Sequence, residues 1–262
     1  MSTIREDLLI LNKFNFKRPP VGVKFSLFNT KLAGVERIGK PLNICEMVPE
    51  AQKGKPFYAM KEDITCAAPL YLGMHEKGEP VMESGGIGAK LEAFHEPRVN
   101  RQLYDVLARL PVGVVKYVAF APLDKLPFDP DVLIVTADPA QAGALLRVTT
   151  YLSLKLWHSV RPPVIECNWL FIHPFLTGEV FYISAFDYGF ALGRIRPGTI
   201  IISFPYQFLL TLVYTLREIP WEYEKLKIMA TRPLEFKKKM QEIVSEVAAE
   251  VGMDAKQRFE SQ

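Results

Sequence analysis

Three cysteines, Cys45, Cys66 and Cys167, are the side chains in this sequence with the widest chemical range. Cys45 and Cys66 stand 21 positions apart, and Cys167 follows 101 positions after Cys66. That spacing is neither a zinc ribbon nor a Cys-x-x-Cys redox pair. Three thiolates suit a [4Fe–4S] cluster, whose usual complement is four cysteines, with one iron left to a non-cysteine ligand or open. An open iron receives a small anionic ligand or substrate, as a catalytic zinc does at its free position. Zinc is the rival metal, since His75, His95 or His173 with the three sulfurs would complete a tetrahedral site. Each lone histidine also has an ordinary reading as a surface or loop residue. A haem or other tetrapyrrole held by His or Met is a third possibility, although the eight methionines read as core filler. Against all of these stands a non-catalytic small-ligand-binding module, in which the cysteines are buried packing residues.

Other signatures are missing. No Gly-x-Gly-x-x-Gly links a strand to a helix, and there is no Walker loop, His-Glu-x-x-His or Gly-x-Ser-x-Gly. The run Gly85-Gly86-Ile87-Gly88 reads as a turn, or at most as the wall of a site. The 32 Lys and Arg exceed the 29 Asp and Glu by only three, which argues against nucleic acid as a partner. With 262 residues, 49% of them hydrophobic, the chain can bury a core without disulfides. An odd number of cysteines, and a start without the pattern of a signal peptide, predict a cytoplasmic protein with reduced thiols. Residues 197–216 carry no charge, but a β-branched run, Pro205 and a helix-like continuation read as a strand and a buried helix, not a membrane span.

The elements that must position the cysteines read as α/β (or α+β). Thr3 and Glu6 form a candidate capping box for a helix over 4–13. Strands are expected at 21–26, 114–121, 131–137, 163–170, 179–185 and 199–204. Asp138-Pro139-Ala140-Gln141 is the clearest helix start, opening a helix to about residue 157. Phe236, Met240, Ile243, Val244, Val247 and Val251 recur at helical spacing and predict a C-terminal amphipathic helix packed on the body, stopped by Gly252 before a loose tail.

The second half of the chain slides over the first. Gly88-Ala-Lys-Leu-Glu-Ala-Phe94 leading to Pro111 corresponds to Gly198-Thr-Ile-Ile-Ile-Ser-Phe204 leading to Pro220, and the segment after Cys66 corresponds to that after Cys167. Two related units from an internal duplication follow, at 20–111 and 131–220, packed as one body. The N-terminal helix (1–19), a connecting segment (112–130) and the C-terminal helix and tail (221–262) complete the chain. About a pseudo-twofold axis, Cys66 and Cys167 would be equivalent and could meet, with Cys45 the asymmetric third.

Several stretches together are distinctive: Pro20-Val-Gly-Val-Lys-Phe25, Cys45-Glu-Met-Val with Ala51 and Gly54, Cys66 with Leu72-Gly73, Val118-Ala-Phe-Ala-Pro-Leu-Asp124, Asp131-Val-Leu-Ile-Val135 with Pro139 and Gln141, Cys167, and Gly193-Arg194. In these the chain resembles the archaeal and bacterial family called domain of unknown function 169, over nearly its whole length. The resemblance implies no activity. It does imply that Cys45, Cys66 and Cys167 fall on recurring cysteine positions and Arg194 on a Gly-Arg position, and its anaerobic setting suits an oxygen-sensitive cofactor. Arg194 would then hold the anionic group of a small substrate by a forked contact, the rival reading being a surface salt bridge. The expectation is a cytoplasmic iron–sulfur protein, enzyme or not, with a small-molecule ligand and self-association suggested by its mixed apolar surface.

Overall fold

Strand β1 (Val21–Ser26) is the axis of the sheet. Val21, Val23 and Phe25 are buried, and at Gly22 a Cβ would press on the Leu126 side chain and Pro130. The strand pairs antiparallel with β4 (Tyr117–Pro122) on one side and β5 (Val132–Ala137) on the other. Every residue of β4 is buried and only Thr136 of β5 is not, the near-continuous apolar run of strands covered on both faces.

The computed structural model describes residues 3–75, 84–85, 96–153, 165–184, 197–218 and 231–250. Beyond β1, β4 and β5 the sheet contains β2 (Glu36–Arg37), β3 (Phe57–Ala59), β6 (Phe181–Ser184) and β7 (Ile200–Pro205). The seven strands lie in the order β2-β3-β4-β1-β5-β7-β6, antiparallel at every junction except β2–β3. The fold is therefore a mixed α/β one. Residues Met1–Arg217 form one compact unit and Glu218–Gln262 a second.

The expected helix starts are present. Thr3 and Glu6 exchange the two capping-box bonds, but the α-helix α1 (Ile4–Leu8) tightens into a 3₁₀ segment, Leu9–Phe14, closed by left-handed Asn15. Asp138 and Gln141 exchange bonds of 3.0 and 2.9 Å at the start of α5 (Pro139–Ser153), and the Gln141 amide also donates to the Phe14 carbonyl. Residues 197–216 divide at Pro205 into β7 and a helix, Tyr206–Glu218. Among the described residues no helix is long and apolar enough to cross a membrane.

One element is of a different type. Residues 165–170, expected within a strand, enter a helix instead: a π-helical segment, Asn168–Ile172, continues into α6 (His173–Thr177). Asn168, Leu170, Phe171 and Ile172 are all buried, so this part of the run has no polar face from which to read a period, and alternation could not separate helix from strand. Strands β2 and β3 were not anticipated. The strand expected at 114–121, within the connecting segment 112–130, is β4, and it hydrogen-bonds to β1 and β3. In the C-terminal unit a helix, α8 (Pro233–Glu250), forms with no buried residue: Met240, Ile243, Val244 and Val247 are exposed and Phe236 is half-buried.

Candidate thiol site

Cys45 lies in the first turn of α2 (Ile44–Ala51). The chain enters this helix from Leu42, which forms a parallel bridge with Ile64: Leu42 N–H donates to the Asp63 carbonyl at 2.9 Å, and Thr65 N–H to the Leu42 carbonyl at 3.0 Å. One residue on, the Thr65 hydroxyl donates to Asn43 Oδ1 at 2.9 Å. The bridge carries Cys66 to the start of α2, where the Ile44 N–H donates to Cys66 Sγ at 3.5 Å. Cys66 in turn precedes the short helix α3 (Ala68–Tyr71).

The bridge is braced from behind by Asp63. This carboxylate is 7% exposed and accepts a fork from Arg37 at 2.8 and 3.0 Å and the Met60 N–H at 2.9 Å. Burial pushes the Asp63 carboxyl up, but the Arg37 fork and the Met60 N–H together outweigh it and leave the group below its ordinary range.

Cys167 arrives from the other half of the chain. Ile165 adopts a left-handed conformation at φ 60°, strained for a β-branched residue, and its carbonyl accepts the Asn168 N–H at 2.9 Å. The turn so formed places Cys167 at the cap of the π-helical segment. That segment is tied toward α3 by residues 108–113. Asn168 Nδ2 donates to the Ala108 carbonyl at 2.6 Å, Leu110 N–H to the Tyr71 carbonyl at 2.8 Å, and Gly113 N–H to the Gly73 carbonyl at 2.7 Å. Cys66 thus stands just before one helix and Cys167 at the cap of another, and the two helices are held together by one strap.

The consequence is electrostatic. Burial pushes the Cys167 thiol well above its ordinary range, and the nearby Cys45, Cys66 and Glu166 push it further, opposed by the Asn168 backbone N–H. Three cysteines from distant points of the sequence are therefore close enough that charge on two of them is felt at the third. All three are reduced thiols and half-buried, and Cys66 and Cys167 lean against the main apolar core. A half-buried thiol surrounded by potential negative charge is a poor nucleophile by itself. A metal cation inverts that balance, because a coordinating thiol is deprotonated outright. Among the described residues, no set of three or more His, Cys, Asp or Glu side chains is arranged to hold a metal ion.

The remaining sequence candidates fall elsewhere. His173 packs its ring against Trp169 and Phe181, with centroids 4.9 and 5.8 Å away, and burial lowers its pKa, with Glu179 acting in the opposite direction. His75 is half-buried just beyond α3. Gly85 has a φ of 75°, whereas Gly86, Gly88, His95 and Arg194 lie outside the described residues. Sequence reading overlooked Glu166, whose adjacency to Cys167 was the available signal, and the Arg37–Asp63 brace, whose signal was an acid three residues before Cys66.

A mixed α/β fold with a corner of three thiols is thus what the chain presents. It belongs to the family domain of unknown function 169, described as uncharacterised ArCR, whose model matches residues 10–214. It is also similar to "Uncharacterized protein MJ0308" of Methanocaldococcus jannaschii, with 24% identity over 148 residues, 55% of this chain and 61% of that protein. The matched region thus spans about three fifths of the relative's length. No solved structure matches the chain significantly.

Proposed function

We propose that Cys45, Cys66 and Cys167 hold a [4Fe–4S] cluster, leaving one iron to a small anionic ligand or substrate. The observation that carries this reading is the gathering of the three thiols, with Cys167 subject to the charge of the other two. A cluster binds each thiolate to a different iron and so tolerates a wider spread of sulfurs than a single ion does. When bound, it supplies a Lewis-acidic iron. The chain's own part is to hold and orient. The Ile44 N–H on Cys66 Sγ aims that sulfur. Arg194 is assigned to receive the anionic group of the ligand through its fork. Reduced thiols of this kind suit a reducing compartment, in keeping with a cytoplasmic location.

Duplication is part of the same proposal. The central β1–β5 pair is antiparallel, and outward from it the strands run β4 then β3 on one side and β7 then β6 on the other. The antiparallel partners β4 and β7 end alike, at Pro122 and Pro205. This arrangement supports two related halves about an axis between β1 and β5, with the difference that β4, from the connecting segment 112–130, stands opposite β7 where the sequence alignment sets residues 88–94.

The test is an optical spectrum of the full chain purified without oxygen, with iron, zinc and acid-labile sulfide measured on the same sample. Brown protein with iron and sulfide in near-equal amounts is expected, and Cys45→Ser, Cys66→Ser and Cys167→Ser should each bleach it. Colourless protein without iron or sulfide after anaerobic reconstitution overturns the proposal, as does zinc alone. A fully coloured cysteine variant removes that residue from the site.

A further inference from the structure

Helix α8 carries an apolar stripe with no buried residue. Phe236, Met240, Ile243 and Val247 are spaced 4, 3 and 4 apart, the alternation of a coiled-coil seam. Along it Met240, Ile243 and Val247 are 40–49% exposed, and Val244 beside them is 40% exposed. Over 18 residues the helix is about 27 Å long, enough for two heptads.

The charges flanking the seam choose a partner. Lys237, Lys238 and Lys239 crowd the first half of the helix, and Glu242, Glu246 and Glu250 the second. With Met240 and Val247 at a and Phe236 and Ile243 at d, Lys239 and Glu246 are the two g positions. A second copy laid parallel would set the lysine run against a lysine run. A second copy laid antiparallel opposes Phe236 to Val247 and Met240 to Ile243, and brings Lys239 of each helix to Glu246 of the other. We infer that α8 is a self-association element, pairing antiparallel with α8 of a second copy of this chain through Phe236, Met240, Ile243 and Val247, with reciprocal Lys239–Glu246 ion pairs fixing the direction.

Two heptads make a weak interface, so a concentration-dependent monomer–dimer equilibrium is expected in sedimentation velocity of the full chain. Ile243→Lys, a substitution at an exposed site, should leave the thermal midpoint unchanged and abolish the dimer. Lys239→Glu and Glu246→Lys should each weaken dimerisation roughly tenfold, because each turns two attractive pairs into two repulsive ones. The double variant Lys239→Glu with Glu246→Lys should recover to within roughly threefold of the original chain, since the reciprocal pairs re-form with signs exchanged. A chain that stays monomeric into the hundreds of micromolar (roughly the range where one such pair would still register) overturns the inference. So does a dimer indifferent to Ile243→Lys, or a double variant no better than the singles, the result expected if the stripe is covered by the helix's own chain.

Discussion

Lys24 donates to Asp131 Oδ1 at 2.6 Å, and the neighbouring Phe25 N–H donates to Asp131 Oδ2 at 2.7 Å, joining points more than 100 residues apart. The Asp131 backbone is equally engaged: its N–H donates to the Val23 carbonyl and its carbonyl accepts the Tyr206 N–H, both at 2.8 Å. One residue therefore ties β1, the start of β5 and the helix after β7. The Asp131 side chain is 14% exposed, so its loss would leave a half-buried ammonium and a backbone N–H without their acceptor. Asp131→Ala should lower unfolding free energy by about 2–3 kcal/mol. Urea denaturation checks this, and an unchanged midpoint would reduce the contact to surface decoration.

Asp63 predicts a pH response. Its carboxyl is held below the ordinary range in the folded chain, so the folded state binds its proton less readily than the unfolded one. The stabilisation is complete above the unfolded value, about 3.9, and is lost as pH falls through the lower folded value. Asp63→Asn should remove that part of the acid dependence while lowering stability at neutral pH. Thermal midpoints of both proteins between pH 3 and 7 would show the two curves converging toward acid.

Gly73 follows α3 at φ 65°, and a Cβ there would collide with the Pro111 and Leu110 carbonyls. Its own carbonyl accepts from Gly113. Gly73→Ala should therefore displace the strap that holds α3 beside the π-helical segment, at a cost of roughly 2 kcal/mol or more. On the cluster proposed above, iron retained per chain should fall with it, because Cys66 stands just before α3 and Cys167 at the cap of the π-helical segment. Gly113→Ala makes the comparison, since there a Cβ meets open space and only the backbone strain at φ 78° applies.

Loading and stability should be linked. A cofactor bound only by the folded chain raises the melting temperature, and its removal lowers it. With the proposed cluster bound, exposure to air or a chelator should bleach the protein and reduce the midpoint together, and calorimetry with a parallel absorbance trace would reveal either change occurring alone.

Much of this fold is local and was legible in the residues. Strand β1 is bounded as its alternation predicted, because Val21, Val23 and Phe25 face one core. The Thr3–Glu6 and Asp138–Gln141 exchanges are contacts between residues three apart, which depend on little beyond their own side chains. Pro205 likewise divides the uncharged run into a strand and a helix. What lies far apart was decided only by packing. Burial of Leu170, Phe171 and Ile172 made a helix of a run whose sequence offered no period, and the strained turn at Ile165 set Cys167 at its head. The sheet placed β4 between β3 and β1, an order no local pattern encodes. The sequence by itself determined that three thiols exist and that each adjoins a structured segment. Tertiary structure alone brought Cys167 within electrostatic reach of Cys45 and Cys66, because that approach depends on long-range hydrogen bonds through Asp63, Ala108 and Asn168 and on the shared core behind them.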